Sequence, residues 1–334
     1  MIAMSLLGFA SQLLAEENVV WPVPDWEVAT PESQGVSAKK LETLRTWLAE
    51  RGSKTGMVVR HGRVVAEWYF GDTKRESRHL VYSTSKSFSA TAAGIAIGEG
   101  KLSLDTRLGD LIADVAPAAK RDVTVRQILS MTTGVHNDPE IRTRADMFTY
   151  ALTLAPMDHK PGEHWEYNNT GNSLLGPIIR KVTGQDIDEY LAAKVFKPIG
   201  IEKVDWEWER QEGHPLPFSG LHITARGLAR FGLLTLREGK WQDKQIVPSA
   251  WVKEAAAASQ ELSKNYGFLW WNNSQGTWAG VPRDAFAAMG RYDNDLLMVP
   301  SLDLIFLRQI GDDPEPNRQF DKIKMLQLAV DVVE

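Results

Sequence analysis

The 334-residue chain contains no cysteine. Disulfides, a thiolate nucleophile and thiolate metal ligands are thereby excluded, while the compartment stays open. Runs of basic residues are also missing. Its 38 Lys and Arg are scattered among 43 Asp and Glu, for a formal net charge of −5, so a polyanion-binding surface has no support and nucleic acid is not an expected partner. No apolar run is long enough to span a bilayer. The best candidate, "MIAMSLLGFASQLLAEEN", turns acidic after roughly 15 residues, which gives no stable membrane insertion. A Gly-x-Ser-x-Gly nucleophile elbow is absent, as are internal repeats and low-complexity segments.

What is present describes a soluble globular protein: 43% hydrophobic and 24% charged residues are enough for a full core. The length exceeds one typical domain, so one large or two interleaved units are expected. Residues 1–16 read either as the remnant of an export signal or as an N-terminal helix packed on the body. The signal reading lacks a basic n-region, and Leu13 stands where a small residue is preferred before Ala15. It is slightly favoured, and it places the protein in the periplasm or outside the cell rather than in the cytoplasm.

Beyond a Pro-rich, acidic lead-in, Ser37 precedes "AKKLETLRTWLAERG". Its Leu41, Leu44, Trp47 and Leu48 share one helical face, which predicts a surface helix capped by Ser37. "GMVVRHGRVVAEWYFG" holds two β-branched runs separated by His61–Gly62, a hairpin signature. From Lys101 to Ala256 the patterns are mostly helix and loop, and strand signals return in "YGFLWW", "DAFAAMG", "DLLMVP" and "LDLIFLRQIG". A last amphipathic helix closes the chain. This order predicts an α+β fold in which one antiparallel sheet is built from both termini and flanked by helices. Residues 17–100 and 257–334 would form the sheet domain, and 101–256 a mainly helical insertion. The crevice between them is the natural place for a site.

Two Ser-x-x-Lys matches occur, Ser37 to Lys40 and Ser83 to Lys86. Lys40 lies on the polar side of its predicted helix, suited to water. Ser83 instead begins "STSKSFSATAAGIAIGEG", a stretch of Ala, Gly and Ser typical of a buried, closely packed helix. A lysine one turn into such a helix is costly unless paired or neutral, and burial together with the helix N-terminus lowers its pKa. Three residues apart, Lys86 can reach the Ser83 hydroxyl. Two readings stand on this stretch alone: a serine cap with a snorkelling lysine, or a nucleophile with its base. Further on, "KPGEHWEYNNTGNSLLG" carries Tyr167–Asn168–Asn169, a Tyr-x-Asn ahead of a helix. A tyrosine beside a lysine can relay a proton, and an asparagine can hold a substrate carbonyl or amide.

In order and approximate spacing the two motifs resemble those of the serine β-lactamase-like superfamily. That superfamily includes class C β-lactamases, DD-peptidases, family VIII carboxylesterases and 6-aminohexanoate-dimer hydrolases. "GEGKLSLDTRLGDLI", "TVRQILSMTTGV", "ARGLARFGLLTLREGKW" and "MVPSLDLIFLR" resemble it as well, so the likeness runs from about Gly35 to Ile310. It implies a β-lactamase/transpeptidase-like fold, with Ser83 as acylated nucleophile, Lys86 as its base, Tyr167 as proton-relay partner and Asn169 as a polar substrate contact. The superfamily's third motif, Lys-Thr-Gly or a looser triplet, corresponds here to Ala288–Met289–Gly290. The N–H of Arg291 would then join that of Ser83 in holding an oxyanion. The sequence departs from the pattern at Ala288, where no lysine or histidine stands. The cation that holds a β-lactam or peptide carboxylate is therefore missing unless Arg291 supplies it.

His159 and His164 faintly resemble a zinc-site spacing, but Pro161–Gly162 would break the helix such ligands need, so no metal is expected. "DWEWER" and "LWW" are candidates for an aromatic acyl pocket, against the more ordinary reading of core or rim. The expectation is a serine hydrolase without cofactor, acting on a small-molecule ester or amide, most simply a carboxylesterase. A β-lactamase or DD-peptidase is the alternative. A catalytically silent binding protein is a third reading, disfavoured by the intact Ser-Lys-Tyr set. The sequence carries no signal for an oligomeric state.

Overall fold

The computed structural model describes residues 19–114, 116–311 and 320–334, so the N-terminal segment 1–16 lies outside the described residues. The two β-branched runs form β1 (Thr55–Arg60) and β2 (Arg63–Tyr69). Between them His61 and Gly62 have φ of 51° and 75°, the paired left-handed residues that a two-residue hairpin turn requires. Three short strands, β3 (His79–Leu80), β4 (Trp206–Trp208) and β5 (Leu221–Ile223), make a small antiparallel sheet in the order β3-β5-β4. The late signals become β6 (Trp271–Asn272), β7 (Phe286–Met289), β8 (Asp295–Val299) and β9 (Leu304–Gln309). With the hairpin they form an antiparallel sheet in the order β6-β7-β8-β9-β1-β2, joined across the termini by pairs from Thr55↔Gln309 to Arg60↔Leu304. The fold is thus β-lactamase/transpeptidase-like, as expected from the sequence.

Strand alternation divides the core. Met57, Val59, Ile305 and Leu307 face the helical side, whereas Val58, Leu304 and Phe306 face the opposite one. On the latter side lie α1 (Ala38–Glu50), through Leu41, Leu44 and Leu48, and the C-terminal helix with Met325, Leu326 and Ala329. On the helical side runs α2 (Ser85–Gly98), buried from Ser85 to Ala96. Its small residues allow close packing, and Phe88 stacks on Phe231 at 3.7 Å. Phe231 belongs to a helix from Ala225 to Leu236 that lies directly against β1, β8 and β9. Among the described residues no helix is long and apolar enough to cross a membrane.

Two local expectations fail for identifiable reasons. Ser37 occupies the N-cap position of α1 with extended dihedrals, yet its side chain makes no capping bond. Its backbone N–H instead donates to Val332 O at 2.8 Å, tying the two ends of the described chain together. "YGFLWW" is not a continuous strand, because Leu269 adopts φ 61°. Its N–H donates to Leu129 O, and its carbonyl accepts the Ser87 hydroxyl of α2, so only the end of the segment joins the sheet.

Candidate active site

Ser83 lies in a short 3-10 turn, Tyr82–Thr84, that leads into α2. The turn is entered through Tyr82 at φ 48°, a left-handed conformation that a bulky residue adopts only when its surroundings impose it. The surroundings are visible. Val81 N–H donates to Leu221 O at 2.9 Å, and the Ser85 hydroxyl donates to Tyr82 O at 2.6 Å. The Tyr82 ring meets Tyr292 edge-on at 5.5 Å. The result is a half-buried Ser83 above a buried Lys86.

Lys86 Nζ donates to Ser83 Oγ at 2.9 Å and to Phe218 O at 2.9 Å. Burial without a compensating carboxylate drives the amine well below its ordinary value. A second buried lysine shows what is distinctive here. Lys120 donates to Ala151 O at 2.8 Å, and burial lowers it to about 8. Among the described residues it bonds no hydroxyl, so a displaced lysine pKa alone does not make a site. Lys86 differs in its contact with the Ser83 hydroxyl.

Tyr167 completes the group. Its hydroxyl is hydrogen-bonded to Ser83, and Lys86 Nζ lies 4.8 Å from its ring centroid. Burial pushes the phenol up to about 12 despite the Ser83 bond, which acts in the other direction. The ring stacks on Trp271 at 5.8 Å and meets Tyr266 edge-on at 6.0 Å. Its loop is held by Asn137, which donates to Tyr167 O at 3.1 Å and accepts from Asn169 N at 3.2 Å. Asn168 caps the following helix, its Oδ1 accepting Gly171 N–H at 2.7 Å. Asn169 Oδ1 is buried without a partner among the described residues, leaving an acceptor open beside the group.

The Ala288–Met289–Gly290 segment meets the Ser83 turn through Gly290. A Cβ there would lie 2.2 Å from Val81 O, so only glycine permits the contact. Thr84 Oγ1 donates to Asn294 O at 2.7 Å and ties the two turns again. Gly290 N–H is engaged with Asn294 O at 3.0 Å. The next N–H, that of Arg291, has no backbone acceptor among the described residues. Tyr292 and Asp293 both have φ 61°. Their carbonyls accept from Arg308 at 2.7 and 3.0 Å, and Lys322 bridges Asp293 at 3.1 Å and buried Asp295 at 2.9 Å. Burial pushes the Asp295 carboxyl up, and the adjacent Lys322 opposes that push. The Arg291 side chain is exposed, with its guanidinium 4.8 Å from the Tyr292 ring and no carboxylate partner among the described residues.

Of the sequence-predicted residues, Ser83, Lys86 and Tyr167 are in direct contact, and Asn169, Gly290 and Arg291 flank them. Phe218, Asn137 and Tyr82 were not legible as participants, because a backbone carbonyl, a loop amide and a strained tyrosine have no sequence signature. Of the tryptophans, Trp271 stands at the site, while Trp206 and Trp208 are core. Trp208 Nε1 donates to Leu216 O and Ser219 O and so shapes the segment that receives Lys86.

The sequence profile of the Beta-lactamase family matches residues 48–306. The chain belongs to the beta-lactamase family. A 6-aminohexanoate-dimer hydrolase of Paenarthrobacter ureafaciens is 25% identical over 315 residues, covering 84% of this chain and 78% of that relative. The crystal structure of a family VIII carboxylesterase superposes with a TM-score of 0.67 at 18% identity, covering 90% of this chain and 99% of the other. A penicillin-binding protein homologue from Caulobacter crescentus gives 0.66 at 19%, covering 89% and 99%. As a beta-lactamase family member, the chain falls within a superfamily of serine hydrolases that includes esterases, amidases and penicillin-binding-protein-like members.

Proposed function

We propose that the protein is a carboxylesterase, acting on small esters and related amides through an acyl-enzyme on Ser83. The observation that carries this reading is the 2.9 Å contact between Ser83 Oγ and a buried Lys86 with no carboxylate partner among the described residues. An uncharged amine at that distance accepts the Ser83 proton as Oγ attacks a carbonyl carbon. Tyr167, raised to about 12, remains a neutral phenol near neutral pH. It relays protons rather than serving as the resting base. The N–H groups of Ser83 and Arg291 receive the tetrahedral oxyanion, and Asn169 Oδ1 accepts from the substrate. The leaving group departs with the proton returned through Tyr167 and Lys86, and water then releases the acid.

The missing third-motif cation favours a neutral ester over a carboxylate-bearing β-lactam. One observation supports the β-lactamase or DD-peptidase alternative, namely that Arg291 stands at the rim without a carboxylate partner. A silent scaffold would have no use for a buried lysine held on a serine hydroxyl beside a buried tyrosine, which costs stability.

The expected pH dependence follows from the direction of each shift. Lys86 is held below its usual value, so the competent, uncharged form grows as pH rises through that lowered pKa. Tyr167 stays protonated up to about 12 and adds no limb near neutrality. Ester kcat/KM therefore rises along a single acid limb and then levels. A profile that falls between about pH 6 and 9 would remove the neutral-lysine mechanism.

A further inference from the structure

Behind β6 lies a cavity of about 310 Å³, separate from the Ser83 group. Leu236, Val252, Ala256 and Phe286 form its apolar walls, and Asn272 and Arg283 also line it. The polar end has a definite arrangement built on one residue. Ser274 N–H donates to Asn272 Oδ1 at 3.1 Å, and Ser274 O accepts from Arg283 Nη1 at 3.0 Å. The first bond fixes the orientation of the Asn272 amide and leaves Nδ2 as its remaining donor. Asn272 is 3% exposed, and that Nδ2 has no partner among the described residues. A buried donor left open in this way is uncommon and points to an acceptor supplied from outside.

The cavity lining carries two cations and two carboxylates, so any preference for an anion is local to Arg283. Both carboxylates of the lining are engaged: Glu238 pairs with Lys253 at 2.9 Å, and Asp284 accepts from the Ser301 N–H and hydroxyl. Arg283 has no carboxylate partner among the described residues. Arg283 uses Nη1 on Ser274 O and keeps its other N–H groups, which together with the Asn272 amide N–H are the donors a carboxylate would meet at this end. The apolar walls match a short chain, and the volume lies at the lower end for a small-molecule site.

We propose that this cavity binds a short-chain aliphatic carboxylate, with its head on Asn272 and Arg283 and its chain against Leu236 and Phe286. The proposal does not depend on the esterase reading. The cavity is nonetheless one residue from it along β6, since Trp271 stacks on Tyr167 while Asn272 faces away.

Titration calorimetry with hexanoate on the Ser83→Ala variant tests binding with turnover removed. One site with a dissociation constant at or below about 1 mM is expected. Arg283→Ala, a surface change, should weaken it about 10- to 150-fold while leaving ester hydrolysis unchanged. Ala257 also lines the cavity and is exposed, so Ala257→Trp should block binding by filling the mouth. Hexanol, which lacks the charge, should bind more weakly by a similar factor. No detectable binding, equal affinity for hexanol, or hexanoate binding unaltered in both variants would overturn the proposal. In the last case the acid would be occupying the Ser83 cleft instead.

Discussion

Lys86→Arg should lower ester kcat by about 10³-fold or more while the protein stays folded. A general base contributes roughly 10²- to 10⁴-fold, and a guanidinium remains protonated at any working pH. The position is 1% exposed, so the larger arginine could also disturb packing. Lys86→Met provides the volume-matched control. It should show a comparable loss of turnover with a melting temperature within about 2 °C of wild type, a shift equivalent to roughly 1.4 kcal/mol for a chain of this length. The linkage sign makes that tolerance reasonable. The Lys86 pKa is lowered on folding, so between the lowered value and the usual 10.5 the unfolded chain binds the extra proton, and stability rises with pH across that window. Below it the lysine has to be charged while buried. Methionine removes this penalty but leaves Phe218 O without its donor. A near-normal kcat in Lys86→Arg would take lysine out of the mechanism, whatever the stability of either variant.

Substrate choice should separate just as widely. p-Nitrophenyl acetate or butyrate should exceed a cephalosporin or penicillin at least 100-fold in kcat/KM. A β-lactam gains most from a fixed cation on the third-motif strand, where this chain has buried Ala288 paired with Leu296. Loss of one charge-assisted contact is worth about 1.5–3 kcal/mol, or about 10- to 150-fold. A neutral short-chain ester makes no such demand and is intrinsically easier to cleave. Arg291 is where the expectation is exposed to failure, because its guanidinium lies over Tyr292 at the rim, and Tyr292 in turn touches Tyr82 beside the nucleophile. Comparing both substrates on wild type and Arg291→Ala separates the cases. Efficient β-lactam hydrolysis that collapses in Arg291→Ala would mean that the carboxylate site has moved to the turn, and the esterase reading would be wrong.

The parts of this structure legible in the sequence are those set by local pattern. His61–Gly62 encodes its hairpin because both residues tolerate positive φ. The Ala, Gly and Ser content of α2 signals burial before any contact is known. Family resemblance then connects Ser83 and Lys86 to Tyr167, which lies 81 positions beyond Lys86. What could not be read arises from contacts between distant segments. Lys86 shares its amine with the carbonyl of Phe218, and any residue type could have supplied that carbonyl. Asn137 holds the Tyr167 loop from 30 residues away. Tyr82 takes its positive φ where Leu221 holds Val81, and Ser85 and Tyr292 hold Tyr82 itself. Ser37 has the residue type and dihedrals of a cap, but the C-terminal Val332 engages its backbone and the side chain is not used. Lys120 marks the limit of inference from burial, since its sequence setting, "PAAKRD", gives no sign that it will be enclosed.

The central claim is that Ser83 is the one serine that acylates. Incubation with a fluorophosphonate, digestion and peptide mass mapping test it directly. The account predicts a single adduct on the peptide containing Ser83, absent in Ser83→Ala and strongly slowed in Lys86→Met. An adduct on Ser37 or any other serine, or full ester turnover in Ser83→Ala, would contradict it.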